Sequence, residues 1–267
     1  MTARSRWVTS AISLAALALL YLPMLGVAVF SVNRSRYGMV WRGFTLDWYV
    51  KLAHNQFVLE AARNTMVLAL VSTAIATVLG TLLALGLASF PWPRPVRRLM
   101  DLLTYLPVIT PDIVFAVALV AAFGAMRRVW SVFELGMTTM IIAHVSFQIA
   151  FVALVVASRL AVVGRQLEEA ARDLYAGSWY ILRRVTLPLL MPGIAAGAML
   201  ALTLSLDDFV ISFFTAGPDS VTLPIFIYSS VRRGVTPEIH ALSVLVFGLT
   251  VLLVLAAQAL GRLRDRT

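Results

Sequence analysis

Three aspartates stand where an apolar sequence has little reason to carry charge. Asp112 follows Pro111 in TYLPVITPDIVFAVAL, and Asp207 and Asp208 are adjacent in LTLSLDDFVISFF. A carboxylate near the centre of a membrane helix costs about 2.5–3.5 kcal/mol on insertion scales, so each is expected to face a cavity or a partner. Fixed negative charge in a low-dielectric path attracts cations, because Coulomb energy grows as the dielectric falls. Neighbouring helix residues point about 100° apart, so Asp207 and Asp208 cannot both occupy the centre of one face. One is expected to line a path and the other to pair with a neighbouring helix. Asp112 is read equally as a path residue and as the cap of a helix restarting after Pro111. His144 and Gln148, four residues apart, share a helix face, and hydrogen bonding between helices is their expected role.

A second polar cluster fills Arg165–Gly193, RQLEEAARDLYAGSWYILRRVTLPLLMPG, which ends at Pro188 and Pro192. Leu167, Ala170, Ala171 and Leu174 recur at helical spacing as one stripe, with Glu169, Arg172 and Asp173 toward another face. Glu168 and Arg172 are placed for an i,i+4 pair worth a few tenths of a kcal/mol. By itself the pattern fits an amphipathic helix resting on a membrane. A polar, helix-prone arm between long apolar runs also suits a surface on which another protein docks.

Other chemistry is missing. There is no GxxxxGK[ST] phosphate loop, no HExxH and no GxSxG nucleophile elbow. The three histidines lack ligand spacing and cysteine is absent, so no metal site is expected. The chain is therefore not read as an enzyme, and an energy source for powered transport is expected on another chain.

The elements that position these residues follow from composition. Of 267 residues, 60% are hydrophobic and 13% charged, against roughly 25% charged in soluble domains. Six apolar stretches reach the length of about 20 residues that a bilayer span needs: 8–30, 62–89, 101–124, 138–160, 192–215 and 240–261. The first exceeds a secretory h-region of about 7–15 residues and is read as a span. The runs are too long and too uniformly apolar for barrel strands, so an all-α, six-helix polytopic membrane domain is expected over 1–267. With the N-terminus in the cytoplasm, inside segments hold thirteen Lys and Arg and outside segments nine. That bias favours both termini inside and explains the net charge of +9 without nucleic acid. The polar arm, 161–191, then faces the cytoplasm. Outside, Trp41, Phe44, Trp48 and Tyr49 are expected to anchor a loop in the membrane interface. A short helix is expected after Thr222, with Pro224 in its first turn. Its Phe226, Tyr228 and Arg232 are candidates for contact with cargo or a periplasmic protein.

Glu169-Ala170-Ala171 with Leu187-Pro188 resembles the EAA motif of permease subunits of bacterial binding-protein-dependent ABC importers, and it lies where that family carries it, before the second-last span. Thr110–Val114, LSLDDFVIS and GPDSVTLPIFIYSSVRRGVTPEIHAL resemble the second permease subunit of spermidine/putrescine importers. The resemblance implies a MetI-like fold in the inner membrane, a sister permease, two ATPase subunits and a periplasmic substrate-binding protein. ATP and Mg would sit on the ATPase, with no cofactor on this chain. It makes 161–191 the ATPase-coupling loop, with Glu168, Glu169, Ala170, Ala171, Arg172, Asp173, Leu174, Tyr175, Gly177 and Pro188 as its contacts. It implies polyamine cargo passing Asp112, Asp207 and Asp208. Other cargoes (iron, phosphate, sulfate, opine or sugar) fit the same architecture, and a stand-alone transporter or channel is a further reading. One departure is evident: Tyr175 stands where the family usually has glycine, with Gly177 two residues later. The bend of the arm is expected either at Ala176–Gly177 or at Tyr175 without glycine.

Overall fold

The computed structural model describes residues 3–35, 40–164 and 166–264. Arg165, where the polar arm begins, lies outside the described residues. Regular structure among those described is helical, apart from one isolated antiparallel bridge between Asn33 and Phe44. The chain divides into two compact units, 1–59 with 226–267, and 60–225.

In the first unit, α1 (Ala3–Ser31) and the short α2 (Asp47–His54) pack on α12 (Pro237–Arg264). The turn after α1 is built on Asn33, which is 1% exposed. Its Oδ1 accepts from the Ser35 and Arg42 N–H groups, and its Nδ2 donates to Val40 O. Trp48 Nε1 donates to Asn33 O at 2.8 Å, and the ring is buried, with Lys51 Nζ 4.6 Å from its centroid. Trp48 is thus the core of this loop rather than an interfacial anchor, because its N–H is satisfied inside. Trp41 and Phe44 remain exposed.

The second unit holds most of α3 (Gln56–Ser89), then α4 (Arg94–Ile109), α5 (Asp112–Met126), α6 (Met137–Val163), α7 (Gln166–Asp173), α8 (Ser178–Ile181), α9 (Leu187–Asp207) and α10 (Val210–Thr215). The helix α11 (Leu223–Arg233) follows, as the Thr222 and Pro224 signals predict. Its Leu223 N–H is taken by Thr65 Oγ1 of α3 at 2.8 Å rather than by Thr222. At the centre α6 lies against α9, around Val152, Ala153, Val156, Leu190 and Ala201. Close approach depends on missing side chains, as is usual between membrane helices. A Cβ at Gly193 would come within 2.6 Å of Arg159 Cβ.

Four helical stretches among the described residues are long and apolar enough to cross a membrane: Thr9–Ser31, Gln56–Ser89, Met137–Val163 and Ser178–Asp207. The helices α4 and α5 meet that test only as a pair, bent by 114°. The break falls at Thr110–Pro111, while Pro107 stays inside α4. The fifth span differs more from expectation. Helix runs from Ser178 through both Pro188 and Pro192, with a π-helical stretch at Leu182–Thr186. A proline clashes with the carbonyl four residues back. For Pro188 that carbonyl belongs to Arg184, inside the wider π turn, which accommodates the ring. Arg159 Nε donates to Leu189 O nearby, at 3.2 Å. The same span then stops at Asp207, where a continuous helix to 215 was expected.

Candidate cargo cavity and coupling helix

Two helix breaks bring the three aspartates together. Asp112, Asp207 and Asp208 line one cavity of about 310 Å³, with Pro107, Phe115, Phe147, Phe151 and Phe209 among its walls. Asp112 is the first residue of α5, where the helix dipole favours a carboxylate. The cap position itself is occupied by Pro111, so Asp112 is not the cap the sequence allowed. Asp207 ends α9, and Asp208 is extended (φ −64°, ψ 124°), so the pair straddles the point where α9 gives way to α10. Asp208 does the capping here. Its Oδ1 accepts from the Ile211 N–H at 3.2 Å and its Oδ2 from the Ser212 N–H at 2.7 Å. These donors are the orphan N–H groups that begin a helix. Asp112 and Asp207 are exposed within the chain.

His144 and Gln148 both bond across helices. Gln148 Nε2 donates to Ala201 O of α9 at 3.0 Å. His144 contacts Ser205 Oγ at 2.8 Å and Ser212 Oγ at 3.0 Å, and its Nε2 lies 3.3 Å from Asp208 Oδ2. The serines were missed from sequence, although they are seven residues apart and flank the paired acids. The phenylalanines were missed for a plainer reason: aromatic side chains in an apolar span carry no distinguishing signal.

The polar arm forms α7, α8 and the π-helical turn. Glu169, Ala170, Arg172, Asp173, Leu174, Tyr175 and Gly177 are exposed, as is Pro188 farther on, while Glu168 and Ala171 are half-buried. Leu174 and Tyr175, with Trp179 and Tyr180 just beyond, leave apolar surface open. Glu168 Oε1 accepts from Thr186 Oγ1 at 2.6 Å. That bond replaces the expected Glu168–Arg172 pair, which is absent among the described residues. The arm turns at Tyr175 itself, with φ +58°. Tyr175 N–H donates to Arg172 O, and Ala176 N–H to Ala171 O. This is the Schellman pattern, with Tyr175 at the left-handed position that glycine usually fills. Gly177 is extended at φ −68°, so the bend has not moved there. A larger cavity, about 550 Å³, lies between α7 and the ends of α3, α4 and α6, with Arg97, Asp101, Tyr105, Glu168, Glu169 and Arg172 on its wall.

The candidates for external contact lie on α11. Phe226 belongs to the first unit and, with Leu52, Arg233 and Leu242 of that same unit, lines a cavity of about 340 Å³. Tyr228 and Arg232 are exposed.

Comparison with known proteins agrees with this layout. The family model "Binding-protein-dependent transport system inner membrane component" matches residues 76–267. The chain is 37% identical over 250 residues to the spermidine/putrescine transport system permease protein PotC of Escherichia coli, covering 94% of this chain and 91% of that one. It is 39% identical over 231 residues to the putrescine transport system permease protein PotI of the same species, covering 86% and 82%. Its fold resembles a chain of a bacterial ABC transporter involved in the import of the acidic polysaccharide alginate, with a TM-score of 0.77 at 20% identity, over 97% of this chain and 96% of that one. The chain therefore belongs to the family of inner-membrane permease components of binding-protein-dependent ABC importers.

Proposed function

We propose that this permease passes polyamines such as putrescine and spermidine. The observation that carries the reading is the cavity at the two helix breaks, where three carboxylates meet a wall of phenylalanines. A polycation needs fixed negative charge in a low-dielectric path, and aromatic faces attract ammonium groups without binding them irreversibly. Passage requires sites weak enough to leave. The relatives named for spermidine and putrescine transport support the same cargo. Family membership supports the same partners for this chain. A sister permease completes the path, a periplasmic protein delivers cargo, and two ATPase subunits hold ATP and Mg. No cofactor is assigned to this chain. Counting the bent pair and α12 as spans gives six, with both termini in the cytoplasm. The arm around α7 then docks on the ATPase, and closure of the ATPase dimer tilts the spans and switches access.

The test is ATP-coupled putrescine and spermidine uptake by proteoliposomes holding the whole complex. Uptake should fall at least tenfold when Asp207→Asn and Asp208→Asn are combined, since two charges facing the path are lost. Unchanged uptake would remove the acids from the path. Glu169→Lys should cut uptake and cargo-stimulated ATP hydrolysis together, and intact coupling would remove α7 from the docking surface.

A further inference from the structure

The polar centre of the second unit is a side chain that need not touch the cargo. His144, on α6, is 0% exposed. Its Nδ1 faces Ser205 Oγ in the last turn of α9, and its Nε2 faces Ser212 Oγ in α10. One ring thus spans the break between the two helices. The same Nε2 lies 3.3 Å from Asp208 Oδ2, which already accepts the Ser212 N–H. A carboxylate oxygen in that setting takes a hydrogen from the ring, so the network assigns the N–H to Nε2 and leaves Nδ1 to accept from Ser205. Ser205 Oγ continues to Ser72 Oγ of α3 at 3.4 Å.

We propose that His144 is a positioning residue for cargo transfer, holding the α9–α10 break open and the Asp208 carboxylate in place so that the acids meet the cation in a fixed geometry. This rests on the cargo reading above. The reason is directional. Were the break to close into regular helix, Asp207 and Asp208 would diverge by about 100°. Asp208 would also lose the N–H donors that come from restarting the helix. The bridge through Ser205 and Ser212 opposes closure from outside the broken helix, and it touches both helices through one ring. Gln148, one turn along α6, bonds to α9 without touching a carboxylate, and so separates helix packing from positioning.

The experiment uses the complete complex with saturating cargo-loaded binding protein, and reads polyamine uptake and ATP hydrolysis in the same proteoliposomes. His144→Asn and His144→Phe should lower the cargo moved per ATP about tenfold, the worth of one hydrogen bond to a charged group. ATP hydrolysis should stay within about twofold. Adding Asp208→Asn to either should lower the ratio no further than Asp208→Asn alone, because both act through one carboxylate. Gln148→Met should move uptake and hydrolysis together and leave their ratio unchanged. If His144→Phe fails to assemble, His144→Asn carries the test. An unchanged ratio in His144→Asn, or a double variant showing the product of the two single losses, overturns the positioning role alone. Stimulated hydrolysis with no polyamine uptake by the unaltered complex overturns the cargo reading, and this role with it.

Discussion

Thr186 Oγ1 donates to Glu168 Oε1 at 2.6 Å, joining α7 to the π-helical turn that leads into α9. Thr186 is 6% exposed, so the bond is sheltered on one side. The surface proposed to meet the ATPase is thereby tied to the base of the helix that ends in Asp207. Force applied at α7 has a short route into the span.

Thr186→Val keeps the shape and removes the hydroxyl. It should cost about 1–2 kcal/mol locally, a hydrogen bond to a charged acceptor with partial exposure. Cargo-stimulated ATP hydrolysis should persist while uptake per ATP falls severalfold. Thr186→Ser should restore the ratio. Equal loss of both activities in Thr186→Val would point instead to failed assembly.

Tyr175 holds φ +58° at the C-terminal turn of α7. A non-glycine residue in that conformation costs roughly 1–2 kcal/mol, offset in part by the greater chain entropy glycine loses on folding. Tyr175→Gly should therefore protect amide exchange across Gln166–Gly177 by roughly 0.5–1 kcal/mol in the isolated permease. Tyr175→Val should weaken protection, since a β-branched residue fits the left-handed region worse. Faster exchange in Tyr175→Gly would contradict this account.

The broad fold was legible because it depends on composition and period. Long apolar runs leave helices as the only way to satisfy the backbone in lipid. Asp112, Asp207 and Asp208 were legible as functional candidates because a charge in such a run is costly. That they share one cavity was not legible, since it requires the break at Asp207–Phe209, and no proline or glycine marks that break. Asp208 makes it by competing for the N–H groups of the next turn, beside His144, which lies far away in sequence. The prolines misled in the opposite direction. Pro188 and Pro192 suggested a boundary, but the helix continues through both, and at Pro188 a π-helical turn accommodates the ring. At Tyr175 the sequence left the bend open between that residue and Ala176–Gly177, and the positive φ of Tyr175 decides for the first.

The contact between Gly193 and Arg159 predicts a local intolerance. A methyl group at Gly193 would stand 2.6 Å from Arg159 Cβ, where the backbone of α6 limits retreat. Gly193→Ala should lower stability by about 1–3 kcal/mol, the usual range for overpacking. At Gly86, also helical, an added Cβ would meet nothing within 4 Å. Gly86→Ala should be neutral or stabilising by up to about 1 kcal/mol. Thermal unfolding of the detergent-solubilised permease distinguishes the two, and a similar melting temperature for both would show that α6 and α9 separate freely.

The adjacent acids should part company when stability is measured instead of transport. Asp208 accepts two backbone N–H groups and faces the buried His144 ring. Asp208→Asn leaves one amide oxygen for the Ile211 and Ser212 N–H groups, which now take one carboxylate oxygen each. Losing hydrogen bonds to a charged acceptor costs roughly 1.5–3 kcal/mol. Asp207 is exposed and makes no ion pair among the described residues. Asp207→Asn should change stability by about 0.5 kcal/mol or less, as surface substitutions do. The two variants thus predict a low melting temperature with impaired uptake for Asp208→Asn, and a normal melting temperature with impaired uptake for Asp207→Asn. Equal melting temperatures would mean that the cap and the histidine contact contribute nothing to holding α10, and that the break at Asp207–Phe209 is maintained by other packing.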